Sequence, residues 1–309
     1  MNGFLLIDKP SGRTSASCVY SLRKILKIKK IGHCGTLDPL ATGVLPLCIG
    51  EATKFSSYIS DQSKEYEVEV LFGVQTSTGD LEGEEIYNKI FNLNKSELKI
   101  SLDKFVGVQQ QVPPMYSAVK FNGKPLYEWV RKGVYFLRKS REVHISKLEI
   151  LYCEGSKAKI RVACSKGTYI RTLVEDLGES LSTRATVINL RRTRVGDVTK
   201  ENLVSFESTD IEDYKSAIVP YDSLLRHIPE IHLDKIDTKK SRNGQLVDYN
   251  APQELKGIVR IYTDNDLFVG IGSIDSSNTV SAKRLLSDPS MLCIPLKIRG
   301  KDFGFKYSE

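Results

Sequence analysis

The residue best placed for chemistry is Asp38. It stands in the string Gly32-His33-Cys34-Gly35-Thr36-Leu37-Asp38-Pro39-Leu40-Ala41-Thr42-Gly43. The glycines of this string permit positive φ or close backbone approach. Pro39 fixes its own φ and pushes Asp38 out of the α region, so the carboxylate sits on a stiffened, extended loop. An apolar run, Val44-Leu45-Pro46-Leu47-Cys48-Ile49, follows at once. A rigid loop that carries a carboxylate into buried sheet is suited to a nucleophile or a fixed negative charge. Asp before Pro is also ordinary turn chemistry, so the string alone admits a purely structural reading. It is no phosphate loop, because no Gly-Lys-Ser/Thr follows at the required spacing.

Other residues carry chemistry only in combination. Arg171 falls in the first turn of an amphipathic segment, where the helix dipole favours acids over cations. A residue that breaks a local preference often serves a site; the ordinary alternative is an i,i+4 pair with Glu175. Tyr66 opens the apolar row of a strand and reads equally as an edge-of-core aromatic. His33 reads as a loop histidine.

Around these residues the chain supplies elements in a clear order. Phe4 to Ile7 reads as a buried strand, and Asp8-Lys9-Pro10-Ser11-Gly12 as a turn. Thr14 or Ser15 caps a helix whose apolar face is Val19, Leu22 and Leu26. The basic run from Arg23 to Lys30 suits a helix C-terminus or phosphate contact alike. Glu51 to Ile59 reads as a short helix. From Glu65 to Val74, Tyr66, Val68, Val70 and Phe72 alternate with Glu65, Glu67 and Glu69, a strand with one wet face. Leu93-Asn94 with Glu97 and Leu98 reads as a capped helix start, continued by Leu102, Phe105 and Val106 and broken by Gln109 to Pro114. A short helix spans about Leu126 to Lys132. Lys120, Lys124, Arg131, Lys132, Arg138, Lys139 and Arg141 are interleaved with Tyr116, Tyr127, Trp129 and Tyr135. That pattern suits an RNA binder or a solvated amphipathic hairpin. Val143 to Tyr152 and Ala158 to Ser165 form a strand pair, followed by the helix bearing Arg171 and then by a strand through Val187, Leu190, Arg191, Arg192 and Arg194. Pro220 to Pro229 reads as a linker helix and Ser241 to Gln245 as a turn. Gly257 to Tyr262, Leu267 to Ile274 and Cys293 to Ile298 read as strands of a smaller unit.

The 309 residues suffice for one large domain and a small one. A net charge of +7 has the sign that suits a polyanion, although solubility alone would explain it equally well. The six cysteines form no C-x-x-C pair, and the four histidines include no H-x-x-x-H, so a zinc site is not expected. Scattered cysteines suggest free thiols in a reducing, cytoplasmic setting. No stretch approaches a membrane span.

The string around Asp38 resembles the signature of the TruB family of tRNA pseudouridine synthases, G-H-x-G-T-L-D-P-x-A-T/S-G. Lys64-Glu65-Tyr66-Glu67-Val68 resembles that family's K-x-Y-x-V/A motif. Lys166-Gly167-Thr168-Tyr169-Ile170-Arg171 resembles its K-G-T-Y-I-R, and Asp8-Lys9-Pro10-Ser11-Gly12 its D-K-P-x-G. The resemblance implies an α+β fold: a mixed, largely antiparallel central sheet flanked by helices, over residues 1–228, with a small β-rich PUA-like RNA-binding domain over 229–309. An insertion at about 107–142 would grip the T-arm of tRNA. The implied activity isomerises the T-loop uridine at position 55 to pseudouridine, with no cofactor, no metal and no obligate protein partner. Asp38 would be the nucleophile and Arg171 its ion-pair partner. Tyr66 would stack on the flipped base, Leu190 would pack near it, and His33 would fill the space it leaves. Lys9 would support the site through charge or hydrogen bonds. Tyr169 or water would take the C5 proton. Cys34 departs from the usual Thr or Gly, and Ser182-Thr183-Arg184-Ala185 from G-C-G-A. Other readings on the same scaffold are a non-catalytic tRNA-binding or folding-assisting protein and a guide-RNA-dependent synthase within a complex.

Overall fold

The structure is a computed structural model that describes residues 1–287 apart from 209, 251, 253 and 254. The strand expected at Cys293 to Ile298 lies outside the described residues.

The main sheet contains β1 (Gly3–Lys9), β2 (Ile31–His33), β3 (Thr42–Ile49), β4 (Lys64–Phe72), β5 (Gly107–Gln111), β6 (Arg141–Glu154), β7 (Lys157–Cys164) and β8 (Ala185–Val195). Its principal order is β1-β3-β8-β4-β7-β6-β5, and β2 pairs with β3. Pairing is antiparallel along this path except where β3 meets β8, through Arg191↔Thr42 and Arg192↔Gly43. A short parallel partner at Val204–Ser205 lies beside β1. The mixed, largely antiparallel sheet expected from the sequence is thus observed.

The period of two along each strand decides what each face buries. On β1, Leu5 and Ile7 face one core, and on β3 Leu45, Leu47 and Ile49 join it. That core is closed by α1 (Ser15–Leu26), α2 (Lys95–Asp103) and α3 (Ile170–Ser180) through Val19, Leu22, Leu98, Leu102, Leu173 and Leu177. Each such side chain contributes about 1.5–3 kcal/mol on full burial. Phe4, Leu6, Val44 and Cys48 point the other way, into a second core shared with Phe55, Tyr221, Tyr262, Phe268 and Leu286. Because β1 and β3 are buried on both faces, they read as unbroken apolar runs. β4 has one wet face, where Glu67 pairs with Lys159 and Arg161.

Thr14 caps α1 by accepting from the Ser17 N–H, and Asn94 caps α2 by accepting from Ser96 and Glu97. The β-rich C-terminal unit comprises β9 (Glu230–Leu233), β10 (Gly257–Thr263), β11 (Phe268–Ile274) and β12 (Thr279–Leu285) with α4 (Lys235–Arg242).

Four expectations need correction. The stretch at Gln109 is no break: Gly107–Gln111 is the edge strand β5, paired with Arg141–Ile145. An edge strand is held by its ladder and needs little apolar pattern. Val106 is exposed, because α2 has already ended at Asp103. Pro220 to Pro229 forms turns with no helix; Tyr221, Leu224, Leu225 and Ile228 are drawn into the second core. Ser241 and Arg242 are helical, and the turn begins only at Asn243. α4 is hard to read in the sequence because it is mostly polar, with Ile236 exposed.

Gly43 begins the descent of the Asp38 loop into β3. Its φ is +100°, and a Cβ there would lie 2.2 Å from the Arg192 carbonyl oxygen. Gly43→Ala is expected to cost about 2–4 kcal/mol from strain and overpacking together. Urea unfolding of the variant beside wild type measures this; equal midpoints would refute it.

Candidate active site

Asp38 sits on the loop between β2 and β3, and that loop is held along its length. Every backbone carbonyl from Gly35 to Ala41 accepts a hydrogen bond. Ser15 Oγ, in the first turn of α1, accepts from the Leu37 N–H at 2.8 Å and lies 3.2 Å from the Leu37 carbonyl as donor. Fully buried Lys9 donates from Nζ to the carbonyls of Pro39 at 3.0 Å and Ala41 at 2.6 Å. Asp38 therefore has little backbone freedom to lose on binding, the condition for a preorganised group.

Arg171 reaches this loop from the first turn of α3. Its Nε lies 2.9 Å from Asp38 Oδ2, and its Nη1 lies 3.6 Å from Asp80 Oδ2. The Nε–H does not line up on a hydrogen-bond acceptor, so the contact with Asp38 is chiefly one of charge. Nη1 and Nη2 donate to the carbonyls of Thr78 at 2.8 Å and Tyr116 at 2.7 Å. Only 5% of the arginine side chain is exposed, against 33% for Asp38, so the carboxylate is the open end of the pair. Among the described residues, the ion pairs of Arg171 go to Asp38 and Asp80; the alternative i,i+4 pair with Glu175 is not made.

A cleft of about 370 Å³, within the range of small-ligand sites, opens over this carboxylate. Its walls include Asp38, Tyr66, Tyr169, Leu190, Lys64 and Arg192. The fold brings Asp38, Arg171, Tyr66, Tyr169 and Leu190 together from four separate stretches of chain. His33 and Lys9 are not among the lining residues. His33 is half-buried on β2 opposite Leu47, and its Nδ1 has no hydrogen-bond partner. Lys9 lies beneath the loop. Cys34 is buried against Cys48.

Burial sets most of the electrostatics. It pushes the Asp38 carboxyl above its ordinary value, outweighing the opposite pull of Arg171, and the charge of Asp80 pushes the same way. Burial also raises the Tyr169 phenol and lowers His33. It brings Lys9 and Lys64 each down to about 8.

Three residues of the site escape a reading of the sequence. Asp80 is buried in the turn between Gly79 and Gly83 and accepts from Thr78 Oγ1 at 2.6 Å; in sequence it looks like any solvated turn. Gln111 grips the Tyr169 backbone, accepting from its N–H at 2.7 Å and donating to its carbonyl at 3.0 Å. Arg192 is one of several basic residues on β8, and alternation with its buried neighbours was the only available signal.

The segment after β5 carries exposed Tyr127, Tyr135 and Leu137. Lys124 and Lys132 stand over Trp129, and Arg131 over Tyr127. These contacts give aromatic faces and cations on one surface, as a nucleic-acid contact requires. Among the described residues, no group of three or more His, Cys, Asp or Glu side chains is arranged to hold a metal. Among them, too, no helix is long and apolar enough to cross a membrane.

Family comparisons cover most of the chain. The profile of the TruB family pseudouridylate synthase N-terminal domain matches residues 23–170. That of the tRNA pseudouridylate synthase B C-terminal domain matches 171–228, and that of the pseudouridine synthase II TruB C-terminus matches 229–286. The tRNA pseudouridine synthase B of Stutzerimonas stutzeri is 44% identical over 294 residues, covering 93% of this chain and 96% of the relative. That of Aliivibrio fischeri is 40% identical over 301 residues, covering 93% and 95%. Among solved structures, a Cbf5-Nop10-Gar1 complex superposes with TM-score 0.70 at 25% identity, covering 92% of this chain and 84% of the other. An H/ACA RNP bound to a substrate RNA containing 2'-deoxyuridine reaches 0.72 at 22% identity, covering 93% and 86%, a likeness of fold alone.

Proposed function

Since the chain belongs to the TruB family of pseudouridylate synthases, we propose that Asp38 is the nucleophile of a tRNA pseudouridine synthase acting on the T-loop uridine at position 55. The isomerase activity follows from the family and its close relatives. The nucleophile, the nucleotide position and the grip on the T-arm are our reading of the cleft. We divide the chain at 228/229, with a catalytic domain before it and a PUA-like RNA-binding unit after it, and place the protein in the cytoplasm.

The reaction breaks the bond between C1′ and N1, turns the uracil, joins C1′ to C5, releases the C5 proton and protonates N1. It involves no net redox change. Attack by Asp38 at C1′ expels the uracil as an anion; attack at C6 adds across the ring double bond. Both require an ionised carboxylate beside the base. The observation that carries this reading is the Arg171 guanidinium 2.9 Å from Asp38 at the floor of an aromatic-walled cleft. Arg stays charged at any working pH and so opposes the desolvation that would protonate Asp38.

Reaching a base inside a folded loop means flipping it, at a cost of a few kcal/mol. Stacking on Tyr66 returns about 1–3 kcal/mol, and Leu190 supplies an apolar edge. His33 would follow the base out and fill its place in the RNA. Burial keeps the Tyr169 phenol protonated, so a resting phenolate is scarce. We assign the C5 proton to a water held at the Tyr169 hydroxyl, which relays it to solvent. The cations and rings of residues 107–142 hold the T-arm.

Purified protein incubated with a bare, unmodified tRNA transcript tests this function. Pseudouridine mapped at position 55 alone is the expected outcome. Conversion that needed a guide RNA or an added protein would overturn the stand-alone reading. Improved tRNA folding without any pseudouridine would overturn catalysis.

A further inference from the structure

The two halves of the main sheet meet at one narrow seam, and a single charged side chain runs through it. β3 and β8 pair only through Arg191↔Thr42 and Arg192↔Gly43, and on its other side Arg192 is the register partner of Tyr66 on β4. Gly43, Arg192 and Tyr66 therefore form a row across the sheet. The Asp38 loop enters at one end of that row and the aromatic wall stands at the other.

Arg192 is 1% exposed. Its Nε donates to the Val44 carbonyl at 2.8 Å, its Nη2 to Gly35 at 3.1 Å and its Nη1 to Thr36 at 3.3 Å. Its charge also acts on the Tyr66 phenol, its register neighbour on β4. Among the described residues no carboxylate lies within ion-pair distance of it. A buried cation without a counter-ion is costly, and an apolar residue of similar size would pack the seam without that cost. What an apolar residue could not do is hold carbonyls on both sides of Asp38. Gly35 and Thr36 precede the carboxylate and Val44 follows it, so the guanidinium ties the two ends of the loop to each other, beside the tyrosine that pairs with Arg192 across the sheet. The missing side chain at Gly43 lets β3 close directly onto the Arg192 backbone.

We infer that Arg192 is a positioning residue for Asp38: by tying the carbonyls of Gly35, Thr36 and Val44 together and seating against Tyr66, it sets the distance between the attacking carboxylate and the ring that receives the base. The inference rests on Asp38 being the nucleophile. A misplacement of about 1 Å at a reacting group costs about a hundredfold in rate.

The test compares Arg192→Lys and Arg192→Met with wild type and Asp38→Asn on a tRNA transcript, measuring kcat, KM, tRNA affinity and thermal melting. Lysine keeps a cation and most of the stem but offers a single point donor in place of three nitrogens spread to separate carbonyls. Both Arg192 variants are expected to lose about a hundredfold in kcat, with KM and tRNA affinity near wild type and with the protein folded at the assay temperature. Three results would overturn the inference: a folded variant within a few-fold of wild-type kcat, a loss confined to KM, or a loss accounted for by the unfolded fraction. If Asp38→Asn itself turned over, the nucleophile assignment would fail first and separately, and the Arg192 inference would fall with it.

Discussion

Asp38→Asn should yield a protein that still binds tRNA and forms pseudouridine at least about 10⁴-fold more slowly, the scale seen when a member of a catalytic set is removed. Asparagine has the size of aspartate but lacks the negative oxygen that the proposed attack requires. The loop around it keeps its bonds, because Ser15, Lys9 and Arg192 all hold backbone carbonyls and none holds the Asp38 side chain. Arg171 keeps Asp80 as a carboxylate partner and Thr78 and Tyr116 as carbonyl acceptors. Loss of fold is therefore not expected to accompany loss of turnover. Release of tritium from C5-labelled tRNA, with filter binding of the same RNA, separates chemistry from affinity. Turnover near wild type would remove Asp38 from the mechanism.

The second large effect belongs to Arg171 and acts through the ionisation of Asp38. The carboxyl of Asp38 stands above its ordinary value because burial outweighs the stabilising pull of Arg171. In the proposed mechanism only the ionised form attacks, so activity is expected to fall as pH drops through this raised value, with the acid limb of the pH–rate profile above that of an ordinary aspartate. Arg171→Met removes a charge that lowers the Asp38 value. The value climbs further and the acid limb moves toward neutral pH. At neutral pH the loss should be about 10²–10³-fold, comparable with removal of one preorganised electrostatic partner, and raising the pH should recover part of it.

Arg171→Lys is the control. It keeps a positive charge beside the two carboxylates and gives up the paired bonds to Thr78 and Tyr116, so its rate should fall while its acid limb moves less. Asp80→Asn should act in the opposite sense on the limb, because the negative charge of Asp80 pushes the Asp38 value up. Arg171→Met also leaves buried Asp80 without its counter-ion, a change that costs about 3–5 kcal/mol in buried pairs. Profiles are therefore compared at a temperature where melting shows each variant folded. An acid limb that did not move in Arg171→Met would separate the guanidinium from the ionisation of Asp38.

The β-rich unit beyond residue 228 shares a core with the part built on the main sheet, through Tyr262, Phe268 and Leu286 against Phe55 and Tyr221. Asp222, Tyr262, Arg260 and Glu230 add a polar chain across the same junction. The turns between Pro220 and Pro229 are thus part of the packing and not the linker helix expected there.

By itself the chain's order of residues determined whatever is local. Pro39 after Asp38 made the loop extended, and the alternation from Tyr66 to Phe72 assigned one buried face. Asn94 with its staple started a helix, and Leu173, Val174 and Leu177 made its successor amphipathic. These follow from turn chemistry and from periods of two and 3.6, which act within a few residues. The motifs shared with the family extended that reach to Arg171 and Tyr169. Tertiary structure alone decided the rest. That Arg171 also leans on Asp80 and leaves Glu175, that an unpromising glutamine strand holds Tyr169, and that Arg192 bridges a two-residue seam all depend on how distant segments are brought together. Register is set by the packing of the whole sheet, and no window of sequence contains it.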